Sequence, residues 1–128
     1  MNAARAHLDD GRVVTCIPNQ ELSVVIDAER IATPAARSLA SRAALPVEEF
    51  LRRWTLLEVG MKVREAVPSD LLRGSRELLA GRTPLIPRGW FVQTLLVGDV
   101  IVSVAWRAQS RRGAQRGRSM QPPVVDIS

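Results

Sequence analysis

The sequence predicts an α+β fold in which short N-terminal strands precede two to three central helices and a C-terminal β-hairpin. Three patterns support it: a period-two alternation near residue 22, helical spacing after residue 34, and a long apolar run interrupted by Gly98-Asp99. The chain has 128 residues, 46% of them apolar, which suits one domain with a sizeable core. We place that domain at 1–107 and expect 108–128 to be a disordered Arg-rich tail.

The first predicted elements are two β-rich runs, 12–17 and 22–27. Between them lies Pro18-Asn19-Gln20-Glu21, in which Pro and Asn favour a turn. In the second run Leu22, Val24 and Ile26 share one face, as they would in a half-buried strand. The sequence therefore predicts an N-terminal hairpin.

Two helices should follow the strands. Thr33 is a suitable N-cap and Pro34 a suitable first residue, so a short helix begins there. A second helix begins near Pro46 and has acidic residues in its first turn. Its apolar positions recur at helical spacing: Val47, Phe50, Leu51, Trp54, Leu57 and Met61.

Glu58 is the one charge on this apolar stripe. We expect its stem to lie over the apolar face while its carboxylate pairs with Lys62 at i+4. The alternative is a buried carboxylate or an ion pair with a partner. Further along, Ser69 can cap a third helix from Asp70 to Ala80, which Gly81 would end.

The last predicted element is a hairpin of residues 91–97 and 100–105 around Gly98-Asp99. A membrane-spanning segment is an alternative for residues 90–106, because Asp99 is their only charge and Trp stands at both ends. The run is short for a span and rich in β-branched residues. We therefore expect a hairpin and no membrane partner.

Charge and composition limit the chemistry. Of the net charge of +5, most lies in residues 107–128, where five arginines face one aspartate. A single Cys16 and a single His7 exclude an internal disulfide, a thiolate metal cluster and the common nucleophilic triads. With no Gly-rich phosphate loop and no secretory pattern at the N-terminus, we expect a cytoplasmic protein that is not an enzyme and has no cofactor or metal.

The order Ser23-Val24-Val25-Ile26-Asp27, a helix through Ala35 to Ala40, and then Leu45 to Arg53 resembles the ribbon-helix-helix family of repressors and antitoxins, over residues 22–65. The resemblance implies a homodimer whose strands pair into a ribbon in the DNA major groove, while the second helices form the dimer core. It implies a small nucleic-acid-binding regulator of transcription.

The resemblance also assigns residues. Ser23 and Val25 would point toward bases, and the dimer interface would be formed by Phe50, Trp54, Leu57 and Met61. Because the ribbon face has no Arg, Lys or Asn, most contacts would go to phosphates. The candidate phosphate-binding residues are Arg30, Arg37, Arg52, Arg53, Arg107, Arg111, Arg112, Arg116 and Arg118.

A second function class stays open. The chain would then be a non-enzymatic dimeric α+β module that binds a protein or a small-molecule ligand. Its binding surface would be the apolar helix 46–65 together with the hairpin 90–106.

Overall fold

The computed structural model describes residues 3–18, 21–64, 86–108 and 122–128. Both strands and helices are present in these ranges, which confirms the α+β class in coarse form. In chain order they are β1 (Ala4–His7), β2 (Val13–Ile17), β3 (Leu22–Arg30), α1 (Pro34–Arg42), α2 (Val47–Val63), β4 (Phe91–Val97), β5 (Val100–Ala108) and β6 (Val124–Ile127).

The strands form two antiparallel three-stranded sheets. The first sheet has the order β1-β2-β6 and the second the order β3-β5-β4. The predicted hairpin of 12–17 with 22–27 is wrong, because β2 and β3 belong to different sheets. Both edges of β2 are already paired, by β1 and β6, while β3 pairs with β5 over all of its 9 residues.

A tight turn joins β1 to β2. Leu8 N–H donates to the Arg12 carbonyl (2.9 Å), and Gly11 N–H donates to the Leu8 carbonyl (3.1 Å). Gly11 has φ 91°, which a side chain would disfavour, so glycine is required where the turn closes. The sequence prediction missed β1, since its four residues lack the β-branched and aromatic types that mark a strand.

The second sheet lies between the first sheet and the helices. On one side, Val100, Val102 and Val104 of β5 pack with Val14 and Cys16 of the first sheet. On the other side, Ile101 packs with side chains of both helices: Ala36, Ala40, Phe50, Leu51 and Leu57. Strand β5 is therefore buried on both faces, and its sequence is an almost continuous apolar run.

The helix predictions are confirmed for the two helices after residue 34. Thr33 Oγ1 accepts from Ala36 N–H (3.1 Å) as the N-cap of α1. In α2, Phe50 and Leu57 are only 3% and 1% exposed, and Trp54 stacks on Phe50 with ring centroids 6.1 Å apart. Trp54 and Met61 are half-buried and pack against the same core. The dimer interface predicted for this stripe stays a prediction.

Three hydroxyl groups join α2 to the second sheet. Thr55 Oγ1 lies 2.7 Å from Ser103 Oγ, which lies 2.8 Å from Thr94 Oγ1. Thr55 also donates to the Leu51 carbonyl (2.9 Å), so Ser103 donates to Thr55 and Thr94 to Ser103. Because Thr55 and Ser103 are fully buried, the chain of hydroxyls fixes one position of α2 on β5.

The predicted C-terminal hairpin is confirmed. Val97 pairs with Val100 around Gly98-Asp99, and Gly98 has φ 61°, as a glycine in the first central position of the turn requires. Residues 90–106 thus form strands, not the membrane-spanning helix considered as an alternative. Within the described ranges, no helix is both long and apolar enough to cross a membrane.

The prediction of a disordered tail from residue 108 is wrong at both of its ends. Ala108 is the last residue of β5, and Val124–Ile127 forms β6, which pairs with β2. Val125 and Ile127 alternate with polar or exposed residues and pack against the core of the first sheet. Residues 109–121 and the predicted helix 70–80 lie outside the described residues.

Helix α1 ends in a Schellman motif that has alanine where glycine is usual. Leu45 N–H donates to the Ala40 carbonyl (3.0 Å) and Ala44 N–H to the Ser41 carbonyl (3.1 Å). The motif places Ala44 at φ 55°, in the left-handed region that disfavours a Cβ atom. The junction to α2 is therefore tight but strained.

Replacing this alanine should relieve the strain. We expect Ala44→Gly to raise the free energy of unfolding by about 1 kcal/mol, measured by urea denaturation. The matched control is Ala43→Gly, because Ala43 has φ −82° and gains nothing from glycine. Equal effects of the two substitutions would contradict the assignment.

Candidate functional site

A cleft lies between β1 and β3, which are side by side but belong to different sheets. The cleft has a volume of about 490 Å³. It receives side chains from both strands and from the end of α2. Its lining residues are Arg5, Ala6, His7, Leu8, Asp9, Asp27, Ala28, Glu29, Arg30 and Lys62. We call it the β1–β3 cleft.

Lys62 closes one side of the cleft. Its Nζ donates to the Ile26 carbonyl (3.0 Å) and lies 3.5 Å from Asp27 Oδ1. The Ile26 carbonyl belongs to the edge of β3 that β5 leaves open, so the ammonium supplies a donor that a neighbouring strand would otherwise provide. The expected pairing of Lys62 with Glu58 is not formed, because Lys62 turns toward β3.

Asp27 is the most perturbed group in the cleft. Its side chain is 14% exposed, and its Oδ2 is buried with no hydrogen-bond partner among the described residues. Burial raises the pKa of Asp27 to about 7, with Glu58 and Glu29 adding to the shift and Lys62 opposing it. This carboxyl group therefore changes its protonation state near neutral pH.

Glu29 and Arg5 are the two charges of the cleft that form no ion pair among the described residues. The other charges are matched, since Arg30 Nη1 lies 3.2 Å from Asp9 and Lys62 pairs with Asp27. Glu29 is half-buried, and this burial, followed by the charges of Glu58 and Asp9, raises its pKa. The cleft thus presents one anion and one cation to a ligand.

An ion cluster holds one end of the cleft. Arg12 Nη2 donates to both carboxylate oxygens of Asp99 (3.0 Å each), and Arg12 Nε donates to Asp10 (2.8 Å). Arg30 reaches Asp9, Asp10 and Asp99 at 3.2 to 3.6 Å. These contacts tie the β1–β2 turn to the β4–β5 turn, so the walls of the cleft are fixed relative to each other.

The described residues offer little for metal or nucleophilic chemistry. No three His, Cys, Asp or Glu residues among them are grouped to hold a metal ion. Cys16 is fully buried in the first sheet, and burial raises the pKa of its thiol to about 11. The cleft presents charges and hydrogen-bonding groups that can contact a ligand.

Comparisons with models of protein families, with curated proteins and with solved structures find no match to this chain.

The strand assigned to base contact has a different arrangement from the one the resemblance implies. Ser23 pairs with Arg107 and Val25 with Ala105, and both Ser23 and Val25 are half-buried. Strand β3 is thus paired within the chain by β5, whereas a ribbon-helix-helix dimer would pair it with the same strand of a second chain.

The predicted phosphate-binding arginines in the described ranges lie on four different elements, β3, α1, α2 and β5. Arg53 pairs with Glu49 (2.9 Å) on α2, and Arg30 belongs to the ion cluster. Arg107 lies with its guanidinium carbon 4.9 Å from the ring centroid of Trp90. Arg37 is exposed on α1 and Arg52 is half-buried on α2. The remaining four, Arg111, Arg112, Arg116 and Arg118, lie outside the described residues.

The sequence prediction missed the cleft, although one of its signals was present. Asp27 and Glu29 are two positions apart in β3, and residues at that spacing in a strand lie on the same face. The other wall could not be inferred, because β1 was not predicted. A site formed by two sheets becomes visible only when the sheets are known.

The Asp27 carboxyl group predicts a pH dependence of stability. Its pKa is about 7 when folded against an ordinary value of 3.8, so between these values the folded state holds a proton that the unfolded state releases. The free energy of unfolding should therefore fall as pH rises from 4 to 7. At about 1.4 kcal/mol per pKa unit, the decrease is a few kcal/mol at most.

Asp27→Asn should remove most of this slope and raise stability at pH 8, because the amide stays neutral. Urea denaturation from pH 4.5 to pH 8.5 measures it. The matched control is Asp126→Asn, on the peripheral strand β6. An unchanged slope in Asp27→Asn would show that Asp27 is not the group responsible.

Proposed function

We propose that this protein is a non-enzymatic binding module whose β1–β3 cleft takes a small zwitterionic molecule with an amine and a carboxylate. The observation that carries the proposal is the presence of Glu29 and Arg5 in the cleft without an ion-pair partner among the described residues. A ligand of this class supplies the opposite charge to each.

The amine of the ligand is assigned to the acidic wall. Glu29 and Asp27 lie on the same face of β3, and Asp27 Oδ2 is buried with no hydrogen-bond donor beside it among the described residues. A protonated amine donates to the Glu29 carboxylate, and a bond of this kind is stronger than one between neutral groups, while Asp27 adds negative charge beside it. Binding would also lower the pKa of Asp27 by adding a positive charge beside it.

The carboxylate of the ligand is assigned to Arg5 on β1. A guanidinium matches a carboxylate with two parallel hydrogen bonds, and Arg5 is exposed and available to make them. The volume of about 490 Å³ lies in the usual range for small-molecule pockets. Because β1 and β3 are in contact, a further strand does not fit between them, which favours a small molecule over an extended peptide.

Titration calorimetry with free L-amino acids tests the proposal, using butylamine and butyrate as probes that carry one of the two charges. We expect at least one amino acid to bind more tightly than either probe. Glu29→Gln and Arg5→Gln should each weaken that binding roughly ten-fold or more, since each removes a charge-assisted hydrogen bond.

The matched controls are Glu48→Gln and Arg37→Gln, both at helix positions outside the cleft. They should leave the affinity unchanged. If no amino acid binds, or if the controls weaken binding as much as the cleft variants, the proposed function is wrong.

A second candidate function is contact with a nucleic-acid backbone, in a regulator of the kind predicted from the sequence. One observation favours it: residues 109–121 contain four arginines and no acidic residue. This segment lies between β5 and β6 in the chain, so its arginines would be attached to the folded domain at both ends.

Fluorescence anisotropy with duplex DNA across a salt series tests this candidate. Replacing Arg111, Arg112, Arg116 and Arg118 by Gln should weaken binding to duplexes of any sequence. The slope of the logarithm of the binding constant against the logarithm of the salt concentration should become shallower by about 0.9 for each phosphate that the variant no longer neutralises. The control replaces Arg5, Arg42, Arg64 and Arg88 by Gln, four exposed arginines that are not assigned to phosphate contact. Absence of binding by the unmodified chain at low salt would contradict this function.

A further inference from the structure

Strand β4 forms one of the two edges of the second sheet, and it is unusually apolar for an edge. Of the seven large apolar side chains exposed among the described residues, four lie on it: Phe91 (46%), Val92 (39%), Leu96 (46%) and Val97 (37%). The strand contains no charged residue. Natural proteins protect edges with charges, proline or bulges, and β4 has none of these.

The hairpin geometry determines which backbone groups of β4 face outward. In a two-residue hairpin the residues that flank the loop, here Val97 and Val100, exchange hydrogen bonds with each other. Since hydrogen-bonded and non-hydrogen-bonded pairs alternate, every second residue back from Val97 also bonds to β5. The N–H and C=O groups of Val92, Thr94 and Leu96 therefore point away from the sheet.

These outward groups are arranged symmetrically about Thr94. If a second β4 approaches antiparallel with Thr94 opposite Thr94, then Val92 lies opposite Leu96 and Phe91 opposite Val97. Every outward N–H and C=O of Val92, Thr94 and Leu96 then finds a partner. Moving the register by two residues in either direction leaves some of these groups unpaired.

The charges at the two ends of β4 are also complementary in this arrangement. Arg88 and Arg107 are exposed at the Phe91 end. At the other end lies the ion cluster, in which Asp9, Asp10 and Asp99 outnumber Arg12 and Arg30 and leave one net negative charge. Antiparallel pairing places the positive end of one copy beside the negative end of the other.

We propose that β4 is a homodimerisation edge. It pairs antiparallel with β4 of a second copy, with Thr94 opposite Thr94, and so joins the second sheet of one copy to that of the other as one six-stranded sheet. This interface differs from the α2 stripe predicted from the sequence, in which Phe50 and Leu57 are buried within the chain and Trp54 and Met61 are half-buried. It is independent of ligand binding in the β1–β3 cleft, because β4 contributes no residue to that cleft.

Sedimentation equilibrium of the full chain over a concentration series tests the proposal. The unmodified chain should dimerise, and Leu96→Lys or Val92→Glu should each weaken the dimer roughly ten-fold or more, since each change is present twice and puts a charge opposite an apolar side chain. Circular dichroism melting confirms that each variant is folded. The matched control is Leu39→Lys, at a similarly exposed leucine on α1 (43%).

The double variant Val92→Glu with Leu96→Lys tests the register. In the proposed pairing the introduced glutamate of one copy lies opposite the introduced lysine of the other, so dimerisation should recover toward that of the unmodified chain. A monomeric unmodified chain, an effect of Leu39→Lys as large as that of Leu96→Lys, or a double variant weaker than both single variants would each overturn the proposal.

Discussion

The burial of β5 on both faces is the constraint on which the rest of the structure depends. A strand covered on one side by a sheet and on the other by helices must be apolar at nearly every position, and residues 100–106 are buried throughout. Its one polar side chain there, Ser103, is compensated by Thr55 and Thr94. Because both edges of β5 are filled, by β3 and β4, this strand determines the order of the second sheet.

The position of α2 follows from the same strand. Apolar packing of Phe50 and Leu57 around Ile101 holds the helix on the sheet but is not directional. The hydroxyl contact of Thr55 with Ser103 is directional, since a shift of one turn would leave both groups buried without a partner. This position brings Lys62 to the edge of β3, so the composition of the cleft depends on a contact at the middle of the helix.

The sequence predicted correctly those elements that are specified by residues close together in the chain. The cap at Thr33, the apolar stripe of α2 and the Gly98-Asp99 hairpin were all recognisable, because each is specified by residues within a few positions of one another. The partners of the strands were not. Pairing of β2 with β6 joins residues more than one hundred positions apart, and the short apolar run at 124–127 carries no sign of its partner. The cleft could not be predicted for the same reason, since it requires β1 and β3 to meet.

The second sheet has two open edges of opposite character, β3 and β4, and that difference separates the two sites proposed at them. At the β1–β3 cleft the open edge of β3 is lined by charges, and Lys62 already occupies one of its carbonyl groups. A strand entering there would have to desolvate Asp27 and Glu29, whereas a small charged molecule would compensate them. At β4 the outward groups are backbone amides flanked by apolar side chains, which a second strand satisfies and a small polar ligand does not. The two proposed sites therefore do not compete, because each lies at the edge whose chemistry disfavours the partner proposed for the other.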